Sequence, residues 1–139
     1  MLLVVFQFLF VFLILWPVAG TALYLPAFPL VVAGLALGGW SLCYNHPGRF
    51  NIRPEVHSKA CLVTTGPYRW VRHPMYSAVL LLCLGMVLIH QSLFSVICWV
   101  LLIWVLWLKA LREEQLMAQR FPEYPDKMLS VKRLIPFIF

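Results

Sequence analysis

The chain has 139 residues, of which 63% are hydrophobic and only 12% are charged, and its mean hydropathy is +0.87. Too little charge is present to cover a soluble globule, so the composition describes a single membrane domain or one small bundle. The net charge of +6 follows membrane topology rather than nucleic acid, because every Asp, Glu, Lys and Arg lies within 49–72 or 109–133.

Residues 1–18 are nearly all apolar and long enough to span a bilayer core. A signal peptide would carry a basic residue ahead of the apolar run, and none precedes this one, so the segment reads as a retained transmembrane helix. Pro17, Gly20, Pro26 and Pro29 punctuate an uncharged connection. A second apolar run covers 28–44, with Gly34 and Gly38 at the small-xxx-small spacing that lets two helices approach closely. Residues 45–74 form a polar block that opens on the turn signal Asn45-His46-Pro47-Gly48. Its length suits a functional loop better than a plain connection.

Apolar runs over 75–90 and 93–111 follow, separated only by His90-Gln91-Ser92, which predicts a tight helical hairpin. Trp99, Trp104 and Trp107 in the fourth run read as packing or lipid-facing aromatics. Lys109, Arg112, Glu113, Leu116 and Arg120 recur at helical spacing, so the fourth helix should continue past the membrane until Pro122 stops it. The expected architecture is all-α: one domain over 1–139, a bundle of four transmembrane helices with a cytoplasmic catalytic loop and a C-terminal extension. The two polar blocks hold all eleven Lys and Arg. The positive-inside rule puts both on the cytoplasmic face, opposite one another.

Cys83 and Cys98 lie inside apolar runs, Cys43 ends another, and Cys61 sits in the basic loop. No pair has redox-motif spacing, and the four read as reduced thiols. Cys43 with His46, and His57 with Cys61, have zinc-like spacing, but nothing in the sequence completes a ligand set, and no metal is expected.

The stretch from Gly66 to Tyr76, Gly-Pro-Tyr-Arg-Trp-Val-Arg-His-Pro-Met-Tyr, stands apart. It is basic and aromatic, restricted by Pro67 and Pro74, and placed directly before an apolar run. By residue type alone it could be a membrane-interface loop with Tyr and Trp as anchors.

This stretch resembles the Arg-His-Pro-x-Tyr signature of the isoprenylcysteine carboxyl methyltransferase family and its phospholipid methyltransferase relatives. The lead-in Leu62-Val63-Thr64-Thr65 and the C-terminal block of Glu113-Glu114, Phe121, Tyr124, Val131, Arg133 and Ile135-Pro136 resemble the same family in the same order. The resemblance covers roughly half of the chain. It implies methyl transfer from S-adenosylmethionine to a lipophilic, membrane-associated acceptor carrying a carboxylate, amine or thiol, with membrane lipid as a partner and no nucleic acid. It implies cofactor contacts at Ala60, Cys61, Leu62, Val63, Tyr68, His73, Pro74, Met75, Tyr76 and Glu113. It places Lys109 and Arg112 near the reacting group.

The residue types suit that ligand. Aromatic faces suit a sulfonium and an adenine, and a carboxylate suits ribose hydroxyls and an amino group. No glycine-rich dinucleotide fingerprint is present to offer a Rossmann site. Three positions depart from the family pattern. Ala78 stands where Gly is frequent, and Lys109 stands where Arg is frequent. The run from Phe121 to Lys127 is shorter and lacks a second Tyr. Sterol reductases carry a similar block, so a nicotinamide-dependent membrane reductase is the rival enzyme. A non-enzymatic membrane subunit binding anionic lipid is the rival without chemistry.

Overall fold

The computed structural model describes residues 1–16, 24–45, 63–128 and 130–135. Among the described residues five helices follow one another: α1 (Leu2–Leu15), α2 (Phe28–Tyr44), α3 (Pro74–His90), α4 (Leu93–Arg120) and the short α5 (Tyr124–Met128). Tight single turns over Leu25–Ala27 and Gly66–Arg69 precede α2 and α3.

The helix ends follow local chemistry. Pro74 occupies the first turn of α3, where its missing N–H costs nothing, and His73 ahead of it is non-helical. The hairpin between α3 and α4 turns on Gln91, whose φ of 48° is left-handed. α4 stops at Phe121, one residue ahead of Pro122.

Two helical stretches, Leu25–Tyr44 and Leu93–Arg120, are long and apolar enough to cross a membrane. α1 and α3 are apolar but shorter. The 14 residues of α1 reach about 21 Å, short of a hydrocarbon core of about 30 Å. The expected span over 1–18 extends into residues outside the described set. α4 runs the other way: its 28 residues reach about 42 Å, so the charged turns after Lys109 project beyond the core.

α2 lies along α3, and α1 lies along α4. Gly34 is where α2 meets α3. A Cβ there would sit 2.7 Å from the Leu82 nitrogen and 2.9 Å from the Ala78 oxygen, so only glycine admits this approach. Gly38 faces the Ala78 methyl at ordinary contact distance. The central cluster is Ile14 from α1, Cys83 and Val87 from α3, and Cys98, Leu102 and Leu106 from α4. Trp99 ties the hairpin together by donating its indole N–H to the Leu80 carbonyl at 3.0 Å, a packing role rather than a lipid-facing one. Phe8, Leu35, Ile97 and Trp104 are exposed on the outer faces. Water would penalise such a continuous apolar surface, and lipid would not. Cys83 and Cys98 are buried thiols and Cys43 is exposed.

Candidate active site

The site is assembled where the loop before α3 meets the charged end of α4. Gly66 adopts φ +62° with the Tyr44 ring against it, a conformation and a space that a side chain would not tolerate. The turn it opens carries Tyr68 inward. Tyr68 is 8% exposed, and its hydroxyl accepts from Asn45 Nδ2 at 3.2 Å. Burial, with Glu113 nearby, pushes the Tyr68 phenol above its ordinary range.

The segment 130–135 is pinned to this loop through its backbone. Arg72 N–H donates to the Lys132 carbonyl at 2.7 Å and His73 N–H to the Arg133 carbonyl at 3.0 Å. The Arg72 Nε donates to the Val131 carbonyl at 2.7 Å, and the Ser77 hydroxyl donates to the Leu134 carbonyl. Glu114 fastens the clasp from α4. It accepts from Arg72 Nη1 at 2.7 Å and from Arg133 Nε at 3.0 Å, with His73 Nε2 at 3.3 Å. The Arg133 guanidinium also lies over the Trp107 ring at 4.7 Å.

Adjacent residues on a helix point about 100° apart, and Glu113 accordingly has other partners. The Tyr76 hydroxyl donates to it, 2.7 Å from both carboxylate oxygens. His73 Nδ1 lies 3.7 Å from Glu113, so the imidazole stands between the two carboxylates. The His73 and Tyr76 rings are stacked 5.1 Å apart and nearly parallel. Lys109, only 3% exposed, sits 5.2 Å above the Tyr76 ring and donates to Gln7 Oε1 at 2.9 Å.

The two neighbouring carboxylates are driven in opposite directions. Burial pushes Glu113 above the ordinary carboxylate range, against the pull of Tyr76, His73 and Lys109. Glu114 is also penalised by burial, but the hydrogen bonds from His73 and Arg133 and the charge of Arg72 hold it below that range. Glu114 is a committed structural anion. Glu113 is a half-buried carboxylate with one hydroxyl donor, still able to accept from a ligand.

The structure brings Tyr68, His73, Tyr76, Lys109 and Glu113 into one cluster. Pro74 is buried and starts α3, Met75 is half-buried beside Tyr76, and Val63 is half-buried at the edge of the loop. Ala60, Cys61 and Leu62 lie outside the described residues, as do His46 and His57. Arg112 does not join the cluster. It is exposed, because a position three residues past Lys109 falls outside the stripe of Leu106, Lys109, Ala110 and Glu114 that α4 buries. The helical spacing of Lys109, Arg112, Leu116 and Arg120 therefore continues the helix without putting all four on one buried face. Gln7 and Asn45 are members that the sequence reading passed over. The signal for Gln7 was available: it is the one polar residue in α1.

Beside the cluster, a groove of about 900 Å³ runs between α2, α3 and α4. Leu37, Trp40, Leu80, Leu84, Trp99 and Trp107 are among its walls, and Leu134 of the clasp is at its edge. Both α2 and α4 belong to the stretches able to cross a membrane, so the groove is built of membrane-facing elements.

No curated protein matches the chain. Residues 44–124 match the model of a known family, described as phospholipid methyltransferase. The match runs from the end of α2 to the start of α5 and takes in the signature loop, α3 and all of α4. Since it covers more than half of the chain and contains Tyr68, His73, Tyr76, Lys109 and Glu113, the chain belongs to the phospholipid methyltransferase family.

Proposed function

We propose that the protein transfers a methyl group from S-adenosylmethionine to the amine headgroup of a membrane phospholipid. The observation that carries this reading is the meeting of Tyr68, His73 and Tyr76 of the signature loop with the half-buried Glu113 carboxylate, beside an apolar groove. The residues fit the cofactor. Glu113 offers a carboxylate for hydroxyl or amino donors, and Tyr68 offers an aromatic face to a cation. When bound, the cofactor supplies a methyl group activated by a sulfonium.

The protein's part is placement. Displacement at carbon needs nucleophile, methyl and leaving sulfur in line, and it needs water kept out. Glu113 and the tyrosines hold one partner. The groove takes lipid chains from the bilayer side and leaves the headgroup at the clasp end, where Trp107 and Leu134 adjoin Arg133. An amine must lose its proton before it attacks. His73, between two carboxylates, is the imidazole in reach. Lys109 is a point charge rather than a planar fork, which suits it to organising the Tyr76 ring rather than to gripping a substrate carboxylate.

Calorimetric titration of S-adenosylmethionine into the protein in nanodiscs tests the reading. Saturable binding is expected, weakened about 10- to 100-fold by Glu113→Gln through loss of a charge-assisted hydrogen bond. Binding of NADPH in place of S-adenosylmethionine would overturn the reading in favour of a reductase.

A further inference from the structure

α1 lies outside the span that matches the family, yet it reaches the active site. Thirteen of its fourteen residues are apolar and one is Gln7. A polar side chain in an apolar helix is costly in hydrocarbon and calls for a partner. The half-buried and buried positions of α1 are 3, 4, 7, 10, 11, 13 and 14. This is a stripe at helical spacing, and Ile14 at its end lies in the core cluster with α4. Gln7 therefore faces the bundle rather than lipid.

Its partner is Lys109. Gln7 Oε1 accepts from the ammonium at 2.9 Å, and the same ammonium sits above Tyr76. One turn further along α4 stands Glu113, at the i,i+4 spacing where a lysine and a glutamate pair readily. Here the lysine turns to Gln7 and the carboxylate turns to the Tyr76 hydroxyl. A buried ammonium and a half-buried carboxylate that could neutralise each other are held to separate partners.

We propose that Gln7 is a positioning residue of the active site. It holds the Lys109 ammonium over Tyr76 and away from Glu113, which keeps the Glu113 carboxylate available to a cationic cofactor. This rests on the S-adenosylmethionine reading above. The first, α1, helix is then a working part of the site and not only an anchor. Without an acceptor at position 7, the ammonium swings to Glu113, and the carboxylate is spent on an internal ion pair.

Two measurements on the full chain in nanodiscs test this. The first needs no cofactor. The chain has four lysines, Lys59, Lys109, Lys127 and Lys132, so ¹³Cε-lysine labelling gives four resolvable methylene signals, with Lys109 assigned by Lys109→Met. The Tyr76 ring should displace the Lys109 signal upfield. Gln7→Leu should abolish the displacement, and Gln7→Glu, which keeps an acceptor oxygen, should retain it. The second is S-adenosylmethionine affinity. Gln7→Leu should weaken it about tenfold, Gln7→Glu should restore it, and Gln7→Leu should have no further effect in a Lys109→Met background.

A Lys109 signal unmoved by Gln7→Leu overturns the inference. So does an affinity loss of equal size with and without Lys109, which would mark Gln7 as a packing residue. A wild type that binds the cofactor with a Gln7→Leu variant that binds it equally well overturns the inference alone. A wild type that shows the displaced Lys109 signal but takes up no S-adenosylmethionine overturns the methyltransferase reading, and the role of Gln7 in it.

Discussion

Replacing Glu114 by Ala removes the fastener of the C-terminal clasp. Glu114 takes charge-assisted hydrogen bonds from Arg72 and Arg133 while its own side chain is 10% exposed. Removing one partner of a buried ion pair costs roughly 3–5 kcal/mol, because the other charge stays buried and unpaired. Two features put this case at the lower end. Arg72 keeps the Val131 carbonyl, and Arg133 keeps the Trp107 face with its side chain 29% exposed. A loss of about 3 kcal/mol corresponds to about 100-fold in the opening equilibrium. The amides of Arg72 and His73, which donate to the Lys132 and Arg133 carbonyls, report that opening directly. Hydrogen exchange at those two amides should accelerate about 100-fold in Glu114→Ala, while mid-α3 amides such as Leu82 stay protected. Glu114→Gln keeps one acceptor oxygen and should show a smaller acceleration. Glu114 has a depressed pKa, so its contribution is complete above the ordinary carboxylate range and is lost only as pH falls through the lower folded value. Unchanged protection at Arg72 and His73 would refute the clasp.

Three further outcomes follow from the same geometry. The raised pKa of Glu113 means that it takes up its proton at a higher pH than an ordinary glutamate, so cofactor affinity should begin to fall early on acidification, and Glu113→Gln should remove that pH dependence. Gly34→Ala should destabilise the α2–α3 pair by about 1–3 kcal/mol through backbone overlap, whereas Gly39→Ala, with nothing within 4 Å of its Cβ, should be neutral or stabilise by up to about 1 kcal/mol; thermal melts in detergent compare the two. Single cysteines at positions 24 and 91 should label from the exterior and one at 127 from the cytoplasm; labelling of 127 from outside would reverse the orientation.

The helices were legible because their signals are local. Apolar runs bounded by proline and a hairpin of three residues place α2, α3 and α4 within a residue or two of the observed ends. Lys109 and Arg120 mark the charged extension of α4, and Pro122 marks its stop. Gly34 announced a close approach but not its partner, since the contact with Ala78 and Leu82 depends on how α2 lies along α3. The candidate residues were legible as names and not as an arrangement. Tyr76 and Glu113 could be named from the family signature, but their hydrogen bond joins residues 37 positions apart. Arg112, which the resemblance sets beside Lys109, is exposed while Lys109 is buried, because helical spacing says that two side chains are neighbours and not which of them faces inward. The Glu114 clasp needs Arg133 brought back across the end of the bundle, and no periodicity in the sequence encodes that return.

The most direct test of the central claim is transfer of an isotopically labelled methyl group from S-adenosylmethionine into lipid. The purified protein would be reconstituted in nanodiscs containing phospholipid with a primary-amine headgroup, and in others whose headgroup is already trimethylated. The account predicts label in the organic extract of the amine-bearing discs only, with most of it lost in Glu113→Gln and in Tyr76→Phe, and with the fold of both variants intact. Absence of label from the amine-bearing discs, or full labelling by Glu113→Gln, would contradict it.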